Sequence, residues 1–488
     1  MPDSGSRVIV EPPLVLDRGG ATPLAAQITG QLRTAVLSRR LRAGERLPSS
    51  RALAATLGVS RTVVTNAYTQ LFAEGWLEGR HGSGTYVAEG AAGGAPPATG
   101  RPAARPARPV PPPWPAPPQP AGAVQDAADG GPPLVELRPG IPWVPGLDRA
   151  AWRRAWRQAG TAVPSRWPDP RGLLALRAAL CAHLRRTRGL DCTPDHVLIT
   201  RGVGSGLGLL APALLQAGDT AGIEDPGYPV ARSVMAAWGA RVTPCPVDSH
   251  GLLTGSLPDG LRLMYVTPAH QYPLGGRLPV PRRQELVAWA RATGALIVED
   301  DYDSEFRYDV APLPALYGLD PDVVAYLGTT AKTLTPTFGV GWLVARPDLV
   351  TVLAGTRESQ GDRTGESAQR ALLAMMESGD LDRHIRRMRR VYARRRDAIV
   401  SILGDPAVPG TLRGDTAGLH VVLELPGGQV DEVVAAARRR GLVLHTLRRY
   451  FAGPPTAAGL VLGYGAVPEA QVAASATVLR DVLLGMCR

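Results

Sequence analysis

Lys332 is the single lysine in a 488-residue chain whose other basic residues, 53 of 54, are all arginine. Both side chains carry a positive charge, but only the lysine amine can lose its proton and attack a carbonyl carbon. The stretch around it, "LGTTAKTLTPTFGVGW", consists mostly of small and hydroxyl residues. The chemistry this suggests is a Schiff base with Lys332 as the nucleophile. A lysine-held pyridoxal 5'-phosphate needs three further things: an acid at its ring nitrogen, a donor near its phenolic oxygen, and anion-binding groups for its phosphate. Asp300, at the end of "ALIVED", suits the ring nitrogen, and Tyr302 suits the phenolic oxygen. The backbone N–H groups of residues 202–206, in "TRGVGSGLG", would open a helix and form a dipole-assisted phosphate cup. In that cup Gly202, Val203 and Gly204 contribute backbone, while Arg201 adds charge and Ser205 a hydroxyl. Tyr228 of "DPGYP" can stack on the ring. Tyr272 of "TPAHQYPLG" and Thr329 of "GTTAKTL" complete the candidate set. Taken alone, an Asp-Asp pair such as Asp300-Asp301 is commonly a solvated loop. Together and in this order, the residues converge on one chemistry.

These residues need elements to position them. "HVLIT", "TAGIED", "LRLMYVT", "ALIVEDD" and "VVAYLGT" are short, largely apolar strand candidates. Helical stretches such as "RRQELVAWARATG" lie between several of them. That alternation predicts an α/β domain with a mostly parallel sheet covered on both faces. In such sheets function collects at the carboxyl ends of the strands, which is where all the candidate residues fall.

The first eighty residues follow another pattern. Pro23 opens a helix to about Arg40 with Leu24, Ile28, Leu32, Val36 and Leu37 on one stripe. Ser49 or Ser50 caps a short second helix, Gly58 ends it, and Ser60 caps a third from about Arg61 to Glu74. Two short helices joined by a Gly-containing turn form a helix-turn-helix. The second of them would present Arg61, Thr62, Thr65 and Asn66 to base edges in the major groove. Ser50 and Arg51 open the first of the pair and join the candidate DNA contacts. Two β-prone pieces, around residues 76–78 and 85–87, flank "GRHGSG" as a hairpin wing. There Arg80, His81, Gly82 and Ser83 would meet phosphate or minor groove. A three-helix protein-binding domain shares the helical spacing and is the alternative.

The two regions are separated by residues 89–133, rich in proline, alanine and arginine. This composition cannot build a core and predicts an extended, solvated linker reaching at most about 140 Å. The expected domains are therefore 1–88, a linker at 89–133, and 134–488, the last with a large subdomain near 175–345 and a small one near 375–488. A formal net charge of +11 suits a polyanionic partner. Cys181, Cys192, Cys245 and Cys487 form no C-x-x-C pair and no zinc-like spacing, so no metal site is expected. The N-terminus lacks the apolar core of a signal peptide, and no apolar run approaches the roughly 18 residues that cross a bilayer. A cytoplasmic, nucleoid-associated protein with no membrane partner is expected.

The run "AGERLPSSRALAATLGVSRTVVTNAYTQLFAEGWLEGRHGSGTYV" closely resembles the winged helix of the GntR superfamily. From about residue 134 onward, "DPRGLLALRAAL", "EDPGYPVAR", "TPAHQYPLGGRL", "EDDYDSEFRYDVAPLPALYGLD" and "LGTTAKTLTP" resemble the fold-type I aminotransferase domain of the MocR/GabR regulators. The resemblance implies a transcription regulator, usually a head-to-tail homodimer on double-stranded operator DNA. Its aminotransferase-like domain would sense pyridoxal phosphate or an amino compound that reacts with it.

The sequence departs from that family at several points. Gly339 stands seven residues after the lysine, where members usually carry a phosphate-binding arginine, and Ala331 replaces the usual serine before the lysine. The cup "TRGVGSG" is also unusual. One lost charge-assisted hydrogen bond, about 1.5–3 kcal/mol, would weaken the cofactor by roughly one to two decades unless Arg201 replaces it. Val461, in "GLVLGYGAVPE", stands where an aminotransferase would place the arginine that grips a substrate carboxylate, so turnover of a standard amino acid is not expected. Two rival readings stay open. A true aminotransferase would turn over an amino donor with a 2-oxo acid. A regulator that has lost the cofactor would keep the large domain only for dimerisation.

Overall fold

The computed structural model describes residues 12, 14–20, 22–80, 84–88, 134–309, 314–426 and 428–486. The expected linker lies outside them. The chain divides into two compact units, one within Met1–Ala123 and one within Val124–Arg488.

In the first unit, α1 (Leu24–Leu37), α2 (Ser50–Leu57) and α3 (Arg61–Ala73) pack around Ile28, Leu32, Leu53, Val64, Tyr68 and Leu71. Pro23 precedes the first helical residue of α1. Ser49, rather than Ser50, caps α2 by accepting the Ala52 N–H at 3.2 Å. Gly58 ends that helix at φ +60°, a conformation that favours glycine. Ser60 faces the Val63 N–H at the start of α3 at 3.4 Å. Strand β1 (Arg46–Leu47) joins β2 (Leu77–Arg80) and β3 (Gly84–Val87) in the antiparallel order β1-β3-β2. Two residues are too few for a periodicity signal, so β1 is visible only through its pairing with β3.

The second unit opens with β4 (Val135–Glu136) and continues with β5 (Val197–Thr200), β6 (Thr220–Asp225), β7 (Arg241–Asp248), β8 (Gly251–Leu252), β9 (Leu261–Val266), β10 (Leu296–Asp301), β11 (Val324–Thr329) and β12 (Gly341–Val344). Strands β5 to β12 form one eight-stranded sheet in the order β5-β12-β11-β10-β9-β6-β7-β8. Pairing is parallel from β11 through β10, β9 and β6 to β7, and antiparallel where β12 meets both β5 and β11. Side chains alternate between two helix-covered cores. Val298, Ala325 and Leu327 join Leu207, Leu210 and Leu353 on one face. Ile297, Val324 and Tyr326 join Leu180, Leu286 and Leu372 on the other. Burial on both faces explains why these strands read as continuous apolar runs. β7 escaped that reading because Pro244 and Pro246 interrupt it and several of its residues are partly exposed.

Strands β13 (Thr411–Arg413), β14 (His420–Glu424), β15 (Leu442–Val443), β16 (His445–Thr446) and β17 (Gly459–Gly463) belong to the C-terminal part. Four of them form an antiparallel sheet in the order β13-β14-β17-β16, packed on the helices Asp380–Leu403, Val430–Arg439 and Glu469–Gly485. β15 instead pairs with β4, which ties the first described residues of the unit to this part. Among the described residues, no helix is long and apolar enough to cross a membrane.

Candidate functional site

The carboxyl ends of the central strands open into a cavity of about 300 Å³. Its lining includes Lys332, Asp300, Tyr302, Tyr228, Tyr272 and Thr329, together with Arg201, Gly202, Val203 and Gly204. Arg201 and Lys332, far apart in sequence, thus meet at one place.

The period of β10 separates its three consecutive carboxylates. Asp300 shares a face with Val298 and enters the cavity. Glu299 and Asp301 turn to the other face. There Glu299 accepts the N–H groups of Leu316 and Tyr317 at 3.0 and 3.1 Å. Asp301 is paired with Arg188 at 2.5 Å and accepts the Tyr326 hydroxyl at 2.7 Å. The Asp-Asp pair is therefore no solvated loop. Tyr265, on neighbouring β9, donates its hydroxyl to Asp300 Oδ2. Asp300 Oδ1 is buried without a hydrogen-bond partner among the described residues. Burial raises the Asp300 carboxyl to about 7, with the Tyr265 hydrogen bond pulling the other way.

Lys332 follows β11 and donates from Nζ to the Gly140 carbonyl at 2.7 Å. Burial lowers its amine below the ordinary lysine value, against the opposing pull of Asp303 and Asp300. A lowered value increases the neutral fraction, which is the nucleophilic form. Gly140 has φ +76°, and a Cβ there would stand 3.0 Å from Lys332 Nζ, so the approach needs a glycine.

The Tyr302 hydroxyl lies 3.0 Å from His270 Nδ1, which Asp303 also faces at 2.9 Å. His270 and Tyr302 stack with ring centroids 5.9 Å apart. Tyr272 stands edge-on to Tyr302 at 5.6 Å and to Tyr228 at 5.9 Å, so three tyrosines form one aromatic wall. Burial pushes the Tyr228 hydroxyl up to about 12 and the Tyr302 hydroxyl well above its usual value, keeping both protonated as donors.

The cup is built on Gly202, at φ +122°, whose N–H donates to Thr200 Oγ1 at 3.2 Å. It precedes the helix Val203–Leu214, which no side chain caps. The first N–H groups of such a helix have no intrahelical acceptor and favour an anion. Two close approaches fix the cup: a Cβ on Gly341 would lie 2.7 Å from Gly202 Cα, and one on Gly206 would lie 2.7 Å from Leu327 Cδ2. Ser205, expected in the cup, lines a neighbouring cleft with residues 360–363 rather than the main cavity. One helical residue rotates a side chain by about 100°, enough to turn Ser205 away from Gly204. Arg201 borders both spaces, but its side chain is 58% exposed and its guanidinium pairs with Asp362 at 2.9 Å.

In the first unit Arg61, Thr62, Thr65 and Asn66 occupy the first two turns of α3, and all four are exposed. Ser50 and Arg51 open α2, with Ser50 partly exposed and Arg51 exposed. Arg80 ends β2, while His81, Gly82 and Ser83 lie outside the described residues. The exposed start of α3 is the face a helix-turn-helix turns to the major groove.

Residues 24–87 match the model for bacterial regulatory proteins of the gntR family, and residues 149–438 match that for class I and II aminotransferases. The chain is 38% identical over 468 residues to the HTH-type pyridoxine biosynthesis transcriptional regulator PdxR of Corynebacterium glutamicum, covering 95% of this chain and 96% of that protein. It belongs to the MocR-type regulators of the GntR superfamily. A probable rhizopine catabolism regulatory protein MocR from Rhizobium meliloti is 33% identical, covering 97% of this chain and 96% of the relative. The fold of the second unit is that of Pyrococcus horikoshii kynurenine aminotransferase, with TM-score 0.67 and 22% identity over 73% of this chain and 92% of that one.

Against the MocR-type pattern, Gly339 ends the short 3₁₀ turn Pro336–Phe338 in the left-handed region at φ +64°, with open space beside it. Ala331 lines the cavity, and its N–H donates to Thr329 Oγ1 at 3.1 Å. Val461 is buried on β17 with Val422, Leu447, Tyr450 and Phe451. Sequence reasoning missed Tyr265, Gly140 and Thr267. Tyr265 had a signal, as the one hydroxyl in the apolar run "LRLMYV". Thr267 donates to Glu224 and also lines the cavity. Gly140 had none, since its part is a backbone carbonyl and a positive φ that no local pattern marks.

Proposed function

We propose that this regulator binds operator DNA through α2, α3 and the wing, and holds pyridoxal 5'-phosphate in the cavity at Lys332. The observation that carries the reading is the buried, partnerless Asp300 Oδ1 in the same cavity as a lysine amine lowered by burial. A buried carboxylate oxygen without a partner is costly, and a protonated ring nitrogen would satisfy it. Lys332 would supply the amine, Asp300 the ring-nitrogen contact and Tyr302 the phenolic-oxygen contact. The Tyr228–Tyr272 wall would bound the ring, and the N–H groups of residues 203–205 would take the phosphate. When bound, the cofactor would supply an aldehyde carbon with which an amine, that of Lys332 or of an effector, can condense. The protein's part is to orient the ring acid through Tyr265, favour the neutral lysine amine by burial, and exclude water through buried tyrosines. Occupancy of the cavity, or the exchange of one amine for another, then shifts the balance between DNA-binding and released states of a homodimer. The name of the Corynebacterium relative, a pyridoxine biosynthesis regulator, favours the cofactor itself as one signal. A cytoplasmic setting follows from action on DNA.

Val461 stands in an apolar cluster where an amino-acid aminotransferase needs a cation, which places turnover of standard amino acids second. Reconstitution of the full chain with pyridoxal phosphate tests the reading. The expected result is a visible absorbance that is lost in Lys332→Ala, together with cofactor-dependent operator footprints. Absorbance that persists in Lys332→Ala would sink it.

A further inference from the structure

His270 and Asp303 stand behind Tyr302, and neither lines the cavity. Both fall in stretches rich in candidate chemistry, "TPAHQYPLG" and "EDDYDSEF", and both are buried. Asp303 faces His270 Nδ1 with both oxygens, Oδ2 at 2.9 Å and Oδ1 at 3.2 Å. The Tyr302 hydroxyl lies 3.0 Å from that same nitrogen. One ring nitrogen therefore meets a carboxylate and a hydroxyl at once.

These three groups satisfy one another in a single arrangement. An ionised carboxylate has no hydrogen to give, so the hydrogen of its contact with His270 sits on Nδ1. A ring nitrogen that carries a hydrogen has no lone pair left and cannot accept from Tyr302. The Tyr302 oxygen can share the Nδ1 hydrogen as an acceptor, but its own hydrogen must go elsewhere. Among the described residues, His270 is the hydroxyl's only hydrogen-bond partner, and the open side of Tyr302 is the cavity it lines.

The pair is braced from the C-terminal part of the unit. Gly418, at φ +79°, packs so closely that a Cβ there would overlap His270 Cε1 and stand 2.7 Å from Asp303 Oδ2. The Gly418 carbonyl accepts the Tyr464 hydroxyl at 2.7 Å, and the His420 ring lies 5.3 Å from that of His270. Backbone on this side holds the imidazole against Tyr302.

We propose that His270, oriented by Asp303, is a positioning residue that turns the Tyr302 hydroxyl into a one-way donor aimed at the cofactor's phenolic oxygen. Without the pair the hydroxyl is free to rotate, and its hydrogen points away from the cavity for part of the time. The inference rests on the reading of the cavity as a pyridoxal phosphate site.

Equilibrium dialysis of the full-length chain with pyridoxal phosphate and with its 3-deoxy analogue, which lacks the phenolic oxygen, tests it. Intrinsic differences between the two compounds cancel when proteins are compared. The wild type should prefer pyridoxal phosphate. His270→Phe should cut that preference by about fivefold or more and leave affinity for the analogue within about twofold. His270→Asn, whose amide N–H can stand where Nδ1–H does, should restore part of the preference. In a Tyr302→Phe background His270→Phe should cost nothing further, since the pair acts through that hydroxyl. An unchanged preference in His270→Phe, equal weakening of both compounds, no recovery in His270→Asn, or a further loss in the Tyr302→Phe background would each overturn the inference. A wild type that binds neither compound would strike the cofactor reading, and the inference with it.

Discussion

Tyr265 donates its hydroxyl to one oxygen of Asp300 and leaves the other, Oδ1, buried without a partner among the described residues. The acid at the base of the cavity is therefore oriented but only half satisfied. Burial raises its pKa from the ordinary 3.8 to about 7. Between those values the folded chain holds a proton that the unfolded chain has released, so this group's contribution to stability falls as pH rises from about 4 to about 7. Asp300→Asn should remove that decline, a difference of at most about 4 kcal/mol across the window. Denaturant titrations of the cofactor-free chain at pH 4.5 and 7.5 check it; an equal change in stability for both proteins would contradict it. Cofactor affinity should run the opposite way and strengthen as pH rises through about 7, because the ionised carboxylate is the form that holds a ring cation.

Tyr265→Phe removes the donor that keeps Asp300 oriented and partly ionised. The pH midpoint of cofactor binding should move upward, since the lost hydrogen bond had lowered the Asp300 pKa. A spectroscopic pH titration of the reconstituted variant reads the shift directly. An unchanged midpoint would mean that Tyr265 only fills space.

Gly341→Ala tests the cup without touching a polar side chain. The added Cβ would lie 2.7 Å from both Gly202 Cα and the Gly328 carbonyl, closer than real contacts allow, and both neighbours are backbone. The Gly202 turn must shift, so the phosphate-facing N–H groups move with it. The expected result is at least a tenfold loss of affinity for pyridoxal phosphate, with affinity for pyridoxal, which lacks the phosphate, reduced much less. Equilibrium dialysis with both compounds distinguishes a cup defect from general unfolding.

On the DNA side, Arg51→Ala should lower the slope of log affinity against log salt by about 0.9 if that arginine neutralises one phosphate. Asn66→Ala should leave the slope unchanged and relax base preference at one operator position by about 1–3 kcal/mol. Anisotropy titrations over a salt series, with operator variants, report both quantities. A changed slope in Asn66→Ala would place that residue on the backbone instead.

Much of this protein is written locally. Ser49 and Gly58 bound α2, the apolar runs of β5, β6, β9, β10 and β11 mark the central strands, and Lys332 stands alone among arginines. Caps, turns and periodicity depend on a few neighbouring residues, so a linear reading recovers them. It also recovers which strand ends carry chemistry, because in a parallel sheet they all lie at one edge. Other features were decided only by the tertiary structure. Strand β12 inserts antiparallel between β5 and β11, bringing Gly341 against Gly202. Lys332 finds the carbonyl of Gly140, 192 residues away, and Tyr265 reaches Asp300 across 35. Arg201 turns to Asp362, and Ser205 faces a neighbouring cleft. Residue types set what each side chain can do. Strand order and helix rotation set which partner it meets, and these depend on packing across the whole sheet rather than on nearby sequence.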